Sequence, residues 1–492
     1  MRRFYSLLLY LLLPYVTFHL LWRGRRQPGY RRHVGERFGY YPAVPQGTLR
    51  PPLQPSEAPS PTLPRQQGRE QSPFPPQAGE SWKGGMPRGK GDGKITHGEG
   101  KEPLIWLHTV SVGETRAAAP LVEALLRAYP DHRILLTHMT PTGRETGEQL
   151  FGDRVLRSYL PYDYPWAIRR FLRHFRPRIG LLLETEIWFN LVAECRAAAV
   201  PLLLVNARMS EKSAHKFARV PALTGPALAG LAHVAAQTEA DAARLRELGA
   251  PAVEVMGNLK FDIAPPPAML ELGAALRSRF GARRPVFLAA STRDGEEALL
   301  LDALHGVDIP GLLTVIVPRH PQRFAEVAQL LEARRIRHIR RSQLSPQPSP
   351  ACGGGQGGGK TEDGGALPPD TQVVLGDSMG ELFAYYAACD LAYIGGSLLP
   401  YGGQNLIEAA SLGKPLLIGP HTFNFAEAGE LAIAAGAAQR VMDGAGLARE
   451  LQRLLRDEPR RAAMAQAGLD FSQRHRGATA RLMALIATCL DA

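Results

Sequence analysis

From residue 103 onward the chain alternates short, uninterrupted apolar runs with longer stretches of helical spacing. LIWLHTV (104–110), RILLTHM (133–139), IGLLLET (179–185) and PLLLVNAR (201–208) read as strands, and AAAPLVEALLRAYP (117–130) as a helix. A strand covered on both faces needs no polar alternation, so continuous apolar runs between helices predict a parallel sheet with helices on both sides. The pattern restarts at VFLAAST (286–292) and continues through LLTVIVP (312–318), TQVVLG (371–376), LAYIGGS (391–397) and PLLIGP (415–420). Two doubly wound, Rossmann-like α/β halves are expected, residues 103–263 and 264–492, with a cleft between them. Ligands of such sheets bind at the carboxyl ends of the strands. The polar motifs of this chain sit at those ends.

Three segments break the pattern. Residues 4–22, FYSLLLYLLLPYVTFHLLW, form 19 positions without a charge, against the roughly 20 that a membrane span requires. No small-residue cleavage site follows, so residues 1–22 read as a retained anchor helix, either spanning or lying in one leaflet. Arg23, Arg25 and Arg26 outnumber Arg2 and Arg3, which favours a cytoplasmic location for the rest of the chain. A basic juxtamembrane segment, 23–42, comes next. Residues 43–100 hold 11 prolines and 10 glycines, and 43–102 is expected to be a disordered insertion. Residues 343–370 are expected to be a second. Gly354, Gly359, Lys360 and Thr361 there match a phosphate-loop pattern, but the strand and helix that such a loop requires are missing around it.

Charge sharpens this picture. The 492 residues carry 58 Lys and Arg against 46 Asp and Glu, a net +12, and ten of those excess charges precede residue 102. The folded part is nearly neutral, which argues against nucleic acid as a partner. The basic end suits an anionic membrane surface. Four cysteines lie far apart with no CxxC spacing, unlike a disulfide framework or zinc module.

The candidate chemistry lies in four groups. In HTVSVGET (108–115), Ser111-x-x-Glu114 has the form of a capping box; alternatively, Glu114 is a cleft carboxylate acting as general base on an acceptor hydroxyl. THMTPTGRE (137–145) reads as a helix start or as an anion cradle aided by Arg144. Glu184 and Glu186 follow a buried strand, where paired cations are needed; Lys260 and Arg208 are the candidates. In the second half, PRHPQRF (318–324), GDSMGEL (376–382) and the run 394–420 bring together paired glycines, Arg319 and Glu408. Glycines there let backbone approach a ligand. A carboxylate at Glu408 can accept both hydroxyls of a ribose, beside a helix N-terminus that holds a phosphate.

Taken together, HTVSVGET, THMTPTG, LPYDYP, ETEIW, NARMSEKS, GNLKFD, VPRHP, GDSMGEL, GGSLLPYGGQN and GPHTFNFAE resemble the 3-deoxy-manno-octulosonic acid (Kdo) transferases. The resemblance covers residues 1–42 and 104 to the end, both insertions excepted. It implies a GT-B glycosyltransferase anchored on the cytoplasmic side of the inner membrane, among inner-membrane lipids, moving Kdo from CMP-Kdo to lipid IV-A in lipopolysaccharide biosynthesis. By that resemblance Glu114 is the base, and Glu184 and Lys260 assist the transition state. Donor contacts fall on Pro318, Arg319, Met379, Gly380, Glu381, Asn405, Leu406, Ile407 and Glu408. No metal or cofactor is implied beyond CMP-Kdo as donor substrate. The glycine loop reads Gly402-Gly403-Gln404-Asn405-Leu406 where the family usually has GGHN-P. Rival readings are another membrane-associated GT-B nucleotide-sugar enzyme and a non-catalytic membrane scaffold that retains the fold.

Overall fold

The computed structural model describes residues 1–42, 102–344 and 366–491. Most of both expected insertions, and the glycine tract at 354–361, therefore lie outside the described residues. The edge of the second insertion departs from expectation. Leu367 is 8% exposed and sits in the core, its N–H donates to the Arg279 carbonyl, and Arg337 pairs with Asp370 at 3.0 Å.

Two seven-stranded sheets are present, every pairing in them parallel. The first contains β1 (Leu104–His108), β2 (Arg133–His138), β3 (Leu156–Tyr159), β4 (Ile179–Leu183), β5 (Leu202–Ala207), β6 (His233–Ala236) and β7 (Val253–Val255). The second contains β8 (Val286–Thr292), β9 (Leu313–Pro318), β10 (His338–Arg340), β11 (Val373–Leu375), β12 (Leu391–Ile394), β13 (Leu416–Ile418) and β14 (Ala438–Arg440). Their orders are 3-2-1-4-5-6-7 and 10-11-9-8-12-13-14, the same winding twice. Each reverses direction beside its first strand, and that reversal opens a crevice at the carboxyl edge.

The apolar runs behave as the pattern requires. Within β1, Trp106 faces one helical layer with Phe171 and Leu191. Ile105 and Leu107 face the other with Leu121, Val122 and Leu125. Those last three belong to α3 (Ala119–Ala128), which follows α2 (Val112–Ala117).

The division at 263/264 assigns the last helix, Ala478–Asp491, to the second half, whereas it packs on the first. Leu482, Ile486 and Leu490 join the cluster of α3. The Asp262 carboxylate fixes the start of this helix, accepting from the N–H groups of Gly477 at 2.7 Å and Thr479 at 2.6 Å. The chain thus ends by strapping the second half to the first.

At the other end, α1 (Arg2–Arg26) is long and apolar enough to cross a membrane by length and composition. The segment after it packs on the first sheet. Glu36, 5% exposed, accepts from Arg144 at 2.7 Å and from the N–H of Tyr159 at 2.8 Å. Arg144 is therefore engaged in holding the juxtamembrane segment, not in an anion cradle.

Candidate functional site

The carboxyl edge of the first sheet carries the acidic cluster. β1 ends at His108, and Ser111 turns the chain into α2, its side chain facing the Glu114 N–H at 3.5 Å. The reciprocal bond of a capping box is absent. The Glu114 carboxylate instead accepts from the Val110 N–H at 2.7 Å and from the Ser111 hydroxyl at 3.1 Å. Burial pushes its carboxyl up to about 7, with the charges of Glu184 and Glu186 adding to the rise and the Val110 and Ser111 bonds opposing it. A carboxylate poised there exchanges protons near neutral pH. Beneath it, burial holds His108 down at about 3 and His138 at about 4. Both are therefore neutral supports bonded to Thr137 and Thr109.

Glu184 follows β4 with φ of +59°, a left-handed backbone that a non-glycine residue adopts only under constraint. The constraint is visible: its N–H donates to Val205 at 3.1 Å and its carbonyl accepts from Arg208 at 3.4 Å. Its carboxylate meets Lys260 Nζ at 3.3 Å, with the two side chains 23% and 22% exposed. Asn258 and Asn206 hold the lysine's turn by accepting from the N–H groups of Lys260 and Leu259, both at 3.0 Å. The ammonium also lies 5.3 Å from the Phe425 ring of the second half. Arg208, the other candidate partner, crosses the cleft to the Phe423 carbonyl at 3.2 Å. Glu186 accepts from the Trp188 indole at 2.6 Å.

The facing edge belongs to the second sheet. Pro318 closes β9, and Arg319 turns toward the cleft, its N–H held by the Thr292 carbonyl at 2.9 Å and its Nε donating to Gln404 at 3.1 Å. Glu408 accepts from the Asn405 amide at 3.0 Å and has no other hydrogen bond among the described residues. Burial raises its carboxyl, while the Asn405 bond and the charges of Arg116 and Arg319 oppose the rise. The helix carrying it, Ile407–Ser411, is only five residues long, shorter than a phosphate-holding helix was expected to be. Leu406 and Ile407 are 1% and 2% exposed, so their side chains serve the core and only backbone is left for a ligand. Met379 is 55% exposed and Gly380 has φ of +84°. The Glu381 side chain is already engaged, by Arg341 at 3.1 Å and the Ser378 hydroxyl at 2.6 Å.

Two features were not singled out from the sequence. Glu296, fully buried, organises the glycine turn after β12. It accepts from Tyr393 at 2.6 Å and from the N–H groups of Gly396 at 2.6 Å, Ser397 at 3.1 Å and Leu398 at 3.2 Å. The glycines at 395–396 were expected to admit a ligand. A side chain on Gly395 would instead strike the Ser291 carbonyl, so the close approach there is between two protein backbones. The second feature is Arg116. It leaves α2 in the first half and ends 3.8 Å from where a side chain on Gly380 would begin. With Arg293 it adds to the positive field at Arg319. A cavity of about 730 Å³ lies elsewhere, lined by Arg169, Arg178, Glu194 and Cys489, and none of the candidate residues reaches it.

Two Rossmann-like sheets meeting across a polar cleft define the GT-B class of glycosyltransferase fold. A glycosyltransferase from Rickettsia africae ESF-5 shares the fold with a TM-score of 0.54 at 12% identity, over 79% of this chain and 99% of that one. Anabaena HepE, solved with UDP, does so with a TM-score of 0.52 at 13% identity, over 78% and 100%. The family described as 3-deoxy-D-manno-octulosonic-acid transferase (kdotransferase) matches residues 80–263. The 3-deoxy-D-manno-octulosonic acid transferase of Bordetella pertussis is 46% identical, over 77% of this chain and 86% of its own length. That of Haemophilus influenzae is 35% identical, over 79% and 87%. The chain belongs to the Kdo transferase family of glycosyltransferases.

Proposed function

We propose that this chain transfers Kdo from CMP-Kdo to lipid IV-A, the lipid A precursor, on the cytoplasmic side of the inner membrane. The observation that carries the reading is the opposition across one cleft of Glu114, a carboxylate poised near pH 7, and the Arg319–Glu408 cluster. Glu114 takes the proton of the acceptor sugar hydroxyl. That oxygen bonds to the anomeric carbon of Kdo, and the bond from this carbon to the phosphate oxygen breaks, releasing CMP. Arg319 and Arg116 stabilise the charge that gathers on the leaving phosphate. Glu408, with a free oxygen beside Asn405, accepts from the ribose. Pro318, Met379, Gly380 and the backbone of Leu406 and Ile407 shape the nucleotide pocket. In this reading Glu381 acts through its position, since Arg341 and Ser378 occupy its carboxylate. Lys260, oriented by Glu184, faces the same cleft and counters negative charge in the transition state.

The test is direct. The purified full chain in detergent, given CMP-Kdo and lipid IV-A, is expected to release CMP and to yield lipid heavier by Kdo increments in mass spectrometry. CMP release without lipid modification would overturn the acceptor, and no turnover of CMP-Kdo with any phosphorylated lipid acceptor would overturn the reaction.

A further inference from the structure

The anchor helix is docked along nearly its whole length. Its least exposed positions run from Tyr5 and Leu9 through Leu13, Val16 and Leu20 to Gly24, a single stripe at the three- and four-residue spacing of one helix face. At its start, the Tyr5 hydroxyl donates to Asp163 at 3.0 Å, and the Ser6 hydroxyl donates to Asn190 at 3.0 Å. One turn on, the Leu9 carbonyl accepts from the Tyr164 hydroxyl at 3.1 Å. At its far end, Leu20 is 4% exposed and Arg23 lies 4.5 Å from the ring of Tyr30. Tyr30 in turn neighbours Arg37, which stacks at 3.9 Å on Tyr159 of β3. Both ends of the helix therefore rest on the first half of the molecule.

From Tyr5 to Gly24 the helix axis runs about 28 Å at the usual rise per residue, close to the ~30 Å thickness of a bilayer's hydrocarbon layer. Were this helix upright in a membrane, the surface it rests on would stand in hydrocarbon beside it. That surface includes the Asp163 carboxylate and the loop of Asn190, groups that lipid does not tolerate without water. Undocking it would strip Asp163, Tyr164 and Asn190 of these partners. The opposite face has different needs. Phe4, Leu8, Leu11, Tyr15, Phe18 and Trp22 are 43–69% exposed, more contiguous apolar surface than water-facing helices leave bare. Arginines close both ends: Arg2 and Arg3 at one, Arg23 and Arg25 at the other. Basic groups at both ends of an apolar face match the anionic headgroups of one leaflet.

We infer that α1 does not cross the membrane: it lies in the plane of the cytoplasmic leaflet, one face on the protein and the other in lipid. The inference rests on the membrane attachment proposed above and adds its topology. The test places single cysteines at the two ends, Arg3→Cys or Arg25→Cys, in the full chain with Cys352 and Cys489 changed to Ser; Cys195 and Cys389 are buried. A membrane-impermeant maleimide is applied to spheroplasts of the expressing bacterium and, separately, to their lysate. In-plane docking predicts that neither cysteine is labelled in spheroplasts, that both are labelled after lysis, and that the protein sediments with membranes. Labelling of Arg3→Cys in spheroplasts while Arg25→Cys stays protected would establish a span and overturn the inference. A protein found wholly in the soluble fraction would overturn the attachment beneath it, an outcome distinct from the other two.

Discussion

The two halves share one winding, yet their carboxyl edges are built from opposite materials. The first presents carboxylates that burial makes reluctant to ionise, Glu114 and Glu186. The second presents cations and backbone: Arg319, Arg293 and a glycine turn strung on the buried Glu296. Such a sheet specifies where ligands go but not which chemistry meets them. The division of labour follows from charge. A base must be able to give up and regain a proton near neutral pH, so it belongs among other carboxylates in a half-buried place. A leaving phosphate needs fixed positive charge and N–H groups, so it belongs at the other edge. Arg116 is the exception, a cation from the acidic half directed at the cationic one, and it makes the donor site depend on both halves being closed together.

Breaking the acidic edge has the largest expected effect. Glu114→Gln keeps an oxygen for the Val110 N–H but cannot take a proton, so turnover falls by ~10²–10⁴, the usual contribution of a positioned base. CMP affinity by calorimetry stays at the parental level, because those contacts lie across the cleft. The folded carboxyl sits near 7 against an ordinary 4.5, so the folded state holds more protons between those values. Parental stability therefore declines as pH rises through that window, and the Gln variant lacks this decline. Near-parental turnover in this variant would reassign the base to Glu184 or Glu186.

On the other edge the corresponding carboxylate is structural. Glu296→Ala leaves the Tyr393 hydroxyl and three N–H groups without their acceptor, and denaturant unfolding is expected to show a loss of at least about 3 kcal/mol, as several charge-assisted bonds disappear. A stable variant would mean that the glycine turn needs no such anchor. Lys260→Met separates catalysis from the ion pair. Turnover is expected to drop ~10²-fold, whereas the partly exposed pair with Glu184 contributes no more than about 1 kcal/mol to folding. A large fall in melting temperature with normal turnover in the folded fraction would make the pair structural. Glu408→Ala has the smallest effect, a weakening of CMP binding by ~1–3 kcal/mol as a hydrogen-bonded carboxylate is lost. Unchanged CMP affinity in calorimetry would move the nucleotide elsewhere.

The sequence discloses one kind of element and conceals another. Each run named as a strand in the apolar pattern became one, because a strand covered on both faces must be apolar throughout. The edge strands LRSY, VEV, HIR and AQR are three or four residues of mixed polarity, indistinguishable from loop until a neighbour pairs with them. Site positions divide similarly. Glu114, Glu184 and Lys260 stand in compact motifs beside strand ends. Glu296 is bonded to residues 97–102 positions away, and Arg116 matters only because another half of the molecule faces it. The return of the last helix to the first sheet is of the same kind, since its apolar stripe is equally suited to either half.

The central claim is that Glu114 is the base, and the pH dependence of kcat/KM for CMP-Kdo and lipid IV-A tests it most directly. With the carboxyl held at about 7, activity of the parent should rise roughly tenfold per pH unit below that value and level off above it. Glu114→Gln, measured on its residual activity, should show no such limb. A limb of unchanged position in the Gln variant would contradict the claim, because the titrating group would then be another.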